Sequence, residues 1–260
     1  MNLRHVQGIL VRNFYLWFRE VDRVFDAFWW SFFDIAIWGF MSSYFAGTTS
    51  PSIVGQLLTG LILWTVLSRS QWEISATMVV ESWDRNLANI FTSPITLAEF
   101  LTASVILGVG KVLLVMSFTS LTAALMIGFN VFAISWWIIP LVGNIFLTGV
   151  WLAFIINAII LRFGKNAIAF AWTLVFVINP LSGVMYPISA LPVPVQAVSR
   201  LLPSAYVFEG MRSLLTSRTI DVTLLWISLG LNLLYIAAGV GVYSYTFRKA
   251  REHGWLVKLA

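Results

Sequence analysis

Residues 178–212 read INPLSGVMYPISALPVPVQAVSRLLPSAYVFEGMR. Five of the chain's eight prolines fall there: Pro180, Pro187, Pro192, Pro194 and Pro203. The sequence on either side is apolar enough for a membrane. Pro180 would kink a helix, because proline lacks the N–H and crowds the carbonyl four residues back. Gly183 follows and loosens packing. Pro187, Pro192 and Pro194 prevent a continuous helix through that region. A short helix over roughly 194–202 can open at Pro194, with Val195, Val198 and Leu202 on one face. Pro203 ends it, and Ser204 can cap a second short helix. On that helix Glu209 and Arg212 stand three residues apart and can pair. The segment is too apolar for a free loop and too broken for a span. Two helices that dip part-way back into the membrane fit it, since non-helical backbone survives at depth only when buried in protein or lining a cavity.

The rest of the chain supports a membrane setting. It has 260 residues, 59% hydrophobic and 10% charged, where a soluble domain carries about 25% charged residues. The start, MNLRHVQGILVRNFYLWFRE, shows no cleavable signal peptide, so the first apolar span is expected to act as the insertion signal. There is no cysteine, which excludes disulfides, zinc–thiolate sites and cysteine nucleophiles. The two histidines, His5 and His253, lie near opposite ends, so no metal site is expected. The net charge of +5 comes from basic residues flanking apolar spans, which indicates topology rather than nucleic acid.

Six apolar segments reach across about 30 Å of hydrocarbon: 24–46, 53–78, 98–127, 132–160, 167–186 and 222–247. The loops 47–52 and 128–131 carry no Lys or Arg. Arg4, Arg12, Arg19 and Arg23, then Arg85, Arg162 and Lys165, and finally Arg248, Lys249, Arg251 and Lys258 fall on one side of a six-span chain. Both termini are therefore expected in the cytoplasm. Arg200, Arg212 and Arg218 are exceptions that a packed outer element would explain. In residues 1–23, Leu3, Val6, Leu10, Phe14, Trp17 and Phe18 recur at helical spacing opposite Arg4, Arg12 and Arg19. This predicts an amphipathic helix lying in the interface, either a plain anchor or an arm that also touches a partner.

Between the second and third spans stands ESWDRNLANIFTSPITLAEF, residues 81–100. Residues 81–91 can form a short helix, which Pro94 stops. Thr96 and Glu99 then form a T-x-x-E capping box, with Ile95 and Phe100 placed for a hydrophobic staple. This is either a well-capped turn or a stiff element able to transmit a push.

Charges also lie inside the spans: Asp34, Arg69, Glu73 and Lys111, with Asp26 in the first segment expected at the interface. Each costs about 2.5–3.5 kcal/mol at mid-membrane. Arg69 and Glu73 are one turn apart and can pair. Lys111 lies deep and needs an acid, with Asp34 and Glu73 as candidates. These charges are either a polar gate or structural pairs that fix helix register. Asn144, Asn157, Asn179 and Asn232 suit interhelical hydrogen bonds better than ligand contacts. Trp136 and Trp137 suit an interfacial belt; Trp38, Trp64, Trp151 and Trp172 can lie deeper and line a path for a flat or sugar-bearing amphiphile, although packing or lipid contact also explains them.

Catalytic signatures are missing. GVGK at 108–111 lacks the first glycine and the final Ser/Thr of a phosphate loop and sits inside an apolar span. There is no G-x-S-x-G and no H-E-x-x-H. Any pumping must draw on another protein or on an ion gradient.

The run P-L-S-G-V-M-Y-P-I-S-A-L-P followed by L-L-P-S-A-Y-V-F-E-G-M-R resembles the signature near the last span of ABC-2 type permeases, the membrane subunits of ATP-binding-cassette exporters. Pro180, Gly183, Pro187, Leu191, Pro192, Pro203, Glu209 and Arg212 carry the match. SPITLAEF at 93–100, after a short helix containing Glu81, is similar to that family's connection between spans two and three. The resemblance implies an all-α, six-span membrane domain over 1–260, with an interfacial helix at 1–23, a coupling helix at 81–92 and re-entrant helices at 187–212. It implies that Glu81, Trp83, Asp84, Arg85 and Leu87 meet an ATPase, and that Pro180, Gly183, Tyr186, Pro187, Pro192, Pro203, Glu209 and Arg212 form an outer gate. It further implies a homodimer in the inner membrane, in contact with lipids and two cytoplasmic ATPase subunits that hold ATP and magnesium. This chain itself would carry no cofactor. The substrate would be a drug, lipid, glycolipid or lipid-linked oligo- or polysaccharide. The alternatives are an ion-coupled transporter using Asp34, Glu73 and Lys111, an intramembrane transferase, for which no acid or His/Asp cluster is visible, and a channel. No internal repeat supports the first of these.

Overall fold

The computed structural model describes residues 2–45, 51–83, 93–133 and 135–253. Among these residues there are nine α-helices and no strand. Helix α1 is Leu3–Arg19, α2 Val21–Phe45, α3 Pro51–Trp83 and α4 Leu97–Ile127. Helix α5 is Ile138–Phe163, α6 Ile168–Ser182, α7 Val193–Ser199, α8 Pro203–Ser217 and α9 Val222–Glu252. Five of these, α2, α3, α4, α5 and α9, are long and apolar enough to cross a membrane. The segment expected as a span over 167–186 holds α6, only 15 residues long, or about 22 Å at 1.5 Å per residue.

Helix α5 is apolar on nearly every face, and most of it is buried; it packs along α3 on one side and α9 on the other. Gly149 permits the α3 crossing. A Cβ there would collide with the Ser70 side chain and sit 2.9 Å from the Gln71 backbone nitrogen, so the backbones meet as closely as small-residue membrane contacts allow. On the α9 side, Asn232 Nδ2 donates to the Asn144 carbonyl at 2.9 Å and its Oδ1 accepts from Thr148 Oγ1 at 3.0 Å. Asn144 Nδ2 instead donates within its own helix, to Pro140. Asn157 is fully buried, and its side chain has no hydrogen-bond partner among the described residues.

Two large apolar clusters fill most of the bundle among the described residues. One, around Val6, Ile9, Met78, Phe100, Leu161, Tyr243 and Phe247, marks the end where α1 lies. The other, around Ile62, Leu141, Ile178, Phe208, Met211 and Leu225, marks the opposite end.

Helix α1 is amphipathic as expected. It buries Val6, Ile9 and Trp17 and leaves Phe14, Tyr15 and Phe18 exposed. Its apolar face splits because one side packs on the start of α4. The capping box at Thr96 and Glu99 is complete. The Glu99 carboxylate also accepts from the Asn2 backbone and pairs with His5 Nδ1 at 3.1 Å, so one acid caps α4 and holds α1.

Candidate functional site

The broken segment quoted first forms a clamp. Helix α6 ends at Gly183, whose φ of +65° is left-handed, a conformation glycine enters without strain. Arg212, buried on α8, donates to the Gly183 carbonyl at 2.6 Å. A cation there also complements the C-terminal end of the helix dipole. Tyr186 donates its hydroxyl to the Pro180 carbonyl at 2.9 Å, satisfying one carbonyl of the last turn. Glu209 accepts from the Ile188 backbone N–H at 2.8 Å while paired with Arg212 at 3.1 Å. Pro187 is the N-cap of the 3₁₀ turn that follows, and Pro192 the N-cap of α7. Glu209 and Arg212 thus stand after the break because they tie α8 to the end of α6. Two details differ from the sequence reading. Helix α7 ends at Ser199, short of residue 202, and Pro203, beyond that end, is the first residue of α8. Ser204 does not cap α8; its hydroxyl lies 2.7 Å from that of Ser182, joining α8 to α6 side by side.

The intramembrane charges also sort differently. Arg69 does not pair with Glu73. Its Nη1 donates to Asp26 Oδ2 at 3.1 Å and its Nη2 to the Asp26 carbonyl at 2.7 Å. Glu73 takes Lys111 at 2.8 Å, and Lys111 lies over the Trp17 ring at 5.5 Å. One helical turn separates Arg69 from Glu73, yet α2 supplies the partner of the first and α4 the partner of the second. Asp34 has no hydrogen bond or ion pair among the described residues.

These charges line two cavities. The larger, of about 490 Å³, lies among α2, α3, α6 and the turn after it. Trp30, Asp34 and Trp38 line it from α2, and Trp64, Ser68 and Trp72 from α3. Each set steps by four residues, about 6 Å along a helix face. Val175, Asn179 and Met185 close the far side, so the Arg212 clamp sets the turn that supplies Met185. The smaller cavity, of about 360 Å³, lies toward α1, between Trp17, Glu20, Arg23, Glu73, Thr77 and Lys111. Asp26 and Trp72 line both. The Asp26–Arg69 pair therefore stands where the two meet.

Of the deeper tryptophans expected from sequence, Trp38 and Trp64 line the larger cavity. Trp151 does not; it is buried edge-on to Tyr235 at 5.1 Å. Trp172 belongs to α6. Trp30 and Trp72 were missed, although Trp30 stands four residues before Asp34 and Trp72 eight after Trp64, on the same helix faces. Glu81 is buried and holds Arg12 of α1 with both oxygens, at 2.6 and 3.0 Å. Trp83 ends α3. Asp84, Arg85 and Leu87, and most of the helix expected over 81–92, lie outside the described residues.

A family model described as ABC-2 type transporter matches residues 5–216, most of the chain. The chain belongs to the ABC-2 type transporter family. Comparison with curated proteins gives no match. The permease is thus a multi-pass membrane protein, and membership implies association with ATP-binding-cassette ATPase partners. In this permease the signature residues Pro180, Gly183, Tyr186, Pro187, Glu209 and Arg212 meet at one junction, beside the larger cavity.

Proposed function

We propose that this permease is the membrane subunit of an ATP-driven exporter, acting as a homodimer with two cytoplasmic ATPase subunits that bind ATP and magnesium. It moves an amphipathic substrate outward across the inner membrane, along the groove that α2 and α3 share. One observation carries this reading: two cavities stand in series along that groove, with Asp26 and Trp72 common to both. Charges in a span are expensive, and a bare structural pair needs no adjoining cavities.

The clustering of Arg4, Arg12, Arg162, Lys249 and Arg251 at the α1 end supports a cytoplasmic position for both termini. The 81–92 segment then faces the ATPase, with Asp84, Arg85 and Leu87 as contacts. Glu81 contributes through α1 rather than directly, because its carboxylate is taken by Arg12. Movement of the 81–92 segment is thereby shared between α3 and α1. The clamp around Arg212 closes the outer end of the route.

The test is ATP-dependent uptake into inside-out vesicles containing the permease and its co-purifying ATPase. Uptake that fails in an Asp84→Ala, Arg85→Ala double variant still inserted in the membrane supports the reading. A permease that purifies without ATPase and moves substrate only under an ion gradient overturns it in favour of ion coupling.

A further inference from the structure

The larger cavity is lined by two acids, Asp26 and Asp34, and one base, Arg69. Arg69 is in contact with Asp26, and Asp34 contributes a carboxylate with no hydrogen bond or ion pair among the described residues. A surplus acid in a span favours a cationic guest. The remaining polar lining supplies no counter-charge. Ser31 donates its proton to the Ala27 carbonyl, Thr65 to Leu61 and Ser68 to Thr65. Gln71 gives its amide to Ser75. A sugar needs many free donors and acceptors, and this wall has committed its hydroxyl protons to its own helices. What the wall offers is aromatic faces: Trp30, Trp38, Trp64 and Trp72. Indole rings attract cations through their negative π-faces, and tryptophan does so best.

We propose that this cavity is a binding site for a lipophilic organic cation of single positive charge, such as a quaternary ammonium or phosphonium with an aromatic or alkyl body. Asp34 neutralises the head, and the indoles surround both head and body. The volume of about 490 Å³ lies within the range of drug-sized sites. Asn179, which has no hydrogen bond among the described residues and stands across the cavity on α6, is free to accept from a cation that carries an N–H. That the bound cation is also the transported substrate rests on the exporter reading; the binding itself does not.

Equilibrium dialysis of tetraphenylphosphonium against the purified full-length permease in detergent tests the site, with tetraphenylborate, an anion of the same shape, dialysed separately. Saturable binding of the cation alone is expected. Asp34→Asn should weaken it about tenfold or more, Asp34→Glu should retain it, and Trp38→Leu should weaken it several-fold. Wild-type protein that takes up both probes equally, or no cation saturably, overturns the proposal. So does an Asp34→Asn protein, monodisperse by size exclusion, that binds the cation as tightly as wild type. The wild-type comparison decides even if a variant fails to fold. No ATP or ATPase enters this assay, so its failure leaves the exporter reading intact, and failure of vesicle uptake leaves the site intact.

Discussion

Arg69 grips Asp26 twice, at the carboxylate and at the backbone carbonyl, 3.1 and 2.7 Å away. The second contact anchors the guanidinium to the α2 backbone, so it holds the helix as well as the charge.

Replacing Arg69 should therefore loosen α2. Arg69→Gln leaves Asp26 uncompensated and is expected to cost about 1–3 kcal/mol, toward the lower end because the Asp26 side chain is 36% exposed and partly screened. Thermal unfolding in detergent measures this. Asp26→Asn combined with Arg69→Gln should recover part of the loss, as removing both charges removes the unpaired one.

The clamp predicts a different pattern. Gly183→Ala forces a side chain into φ +65° with the Tyr186 carbonyl 2.9 Å from the new Cβ, at a cost of about 1–2 kcal/mol. Arg212→Lys keeps the charge but loses the fork that reaches Gly183 and Glu209 together. Both should raise cysteine-labelling rates at position 188, whose N–H Glu209 now holds, and leave positions on α5 unchanged.

Gly149→Val tests the α3–α5 crossing. Overpacking there is expected to cost about 1–3 kcal/mol or more, read as a lowered unfolding temperature. Gly143→Val, on the same helix with open space at its Cβ, should change little and serves as the control.

Glu99→Gln removes a charged acceptor shared by Thr96, Asn2 and His5. Hydrogen–deuterium exchange should rise over residues 3–10 as well as at the start of α4. His5→Ala, which deletes one of those contacts, should raise exchange over α1 alone.

What could be read from sequence was local. The Thr96–Glu99 box and the Glu209–Arg212 pair lie within one turn, so spacing sufficed. Arg69 and Glu73 satisfied the same spacing rule and still parted, because each faces a different neighbouring helix, and helix rotation is set by tertiary packing. Ser204 was misassigned for a similar reason: a serine beside a proline suits an N-cap, but Ser182 on α6 offered its hydroxyl another partner. The tryptophan ladder was legible in part. Trp38 and Trp64 suggested depth, while Trp30 and Trp72 gained meaning only when α2 and α3 enclosed one space. Trp151 shows the limit: a path and packing were both open to it from sequence, and it packs, edge-on to Tyr235.

Gly149 has a mechanical consequence. Backbones in contact cannot slide without lifting one side chain over another, and α3, α5 and α9 are joined by that contact and by the Asn232 bonds. They form a stator. Helix α2 buries far less of its surface than α3 or α5 and is fastened to α3 by a two-point charged latch, with Ala27 and Phe28 packing alongside Trp17 and Val115. A force arriving at the α1 end meets one stiff block and one hinged slat, and the slat carries half of the tryptophan ladder.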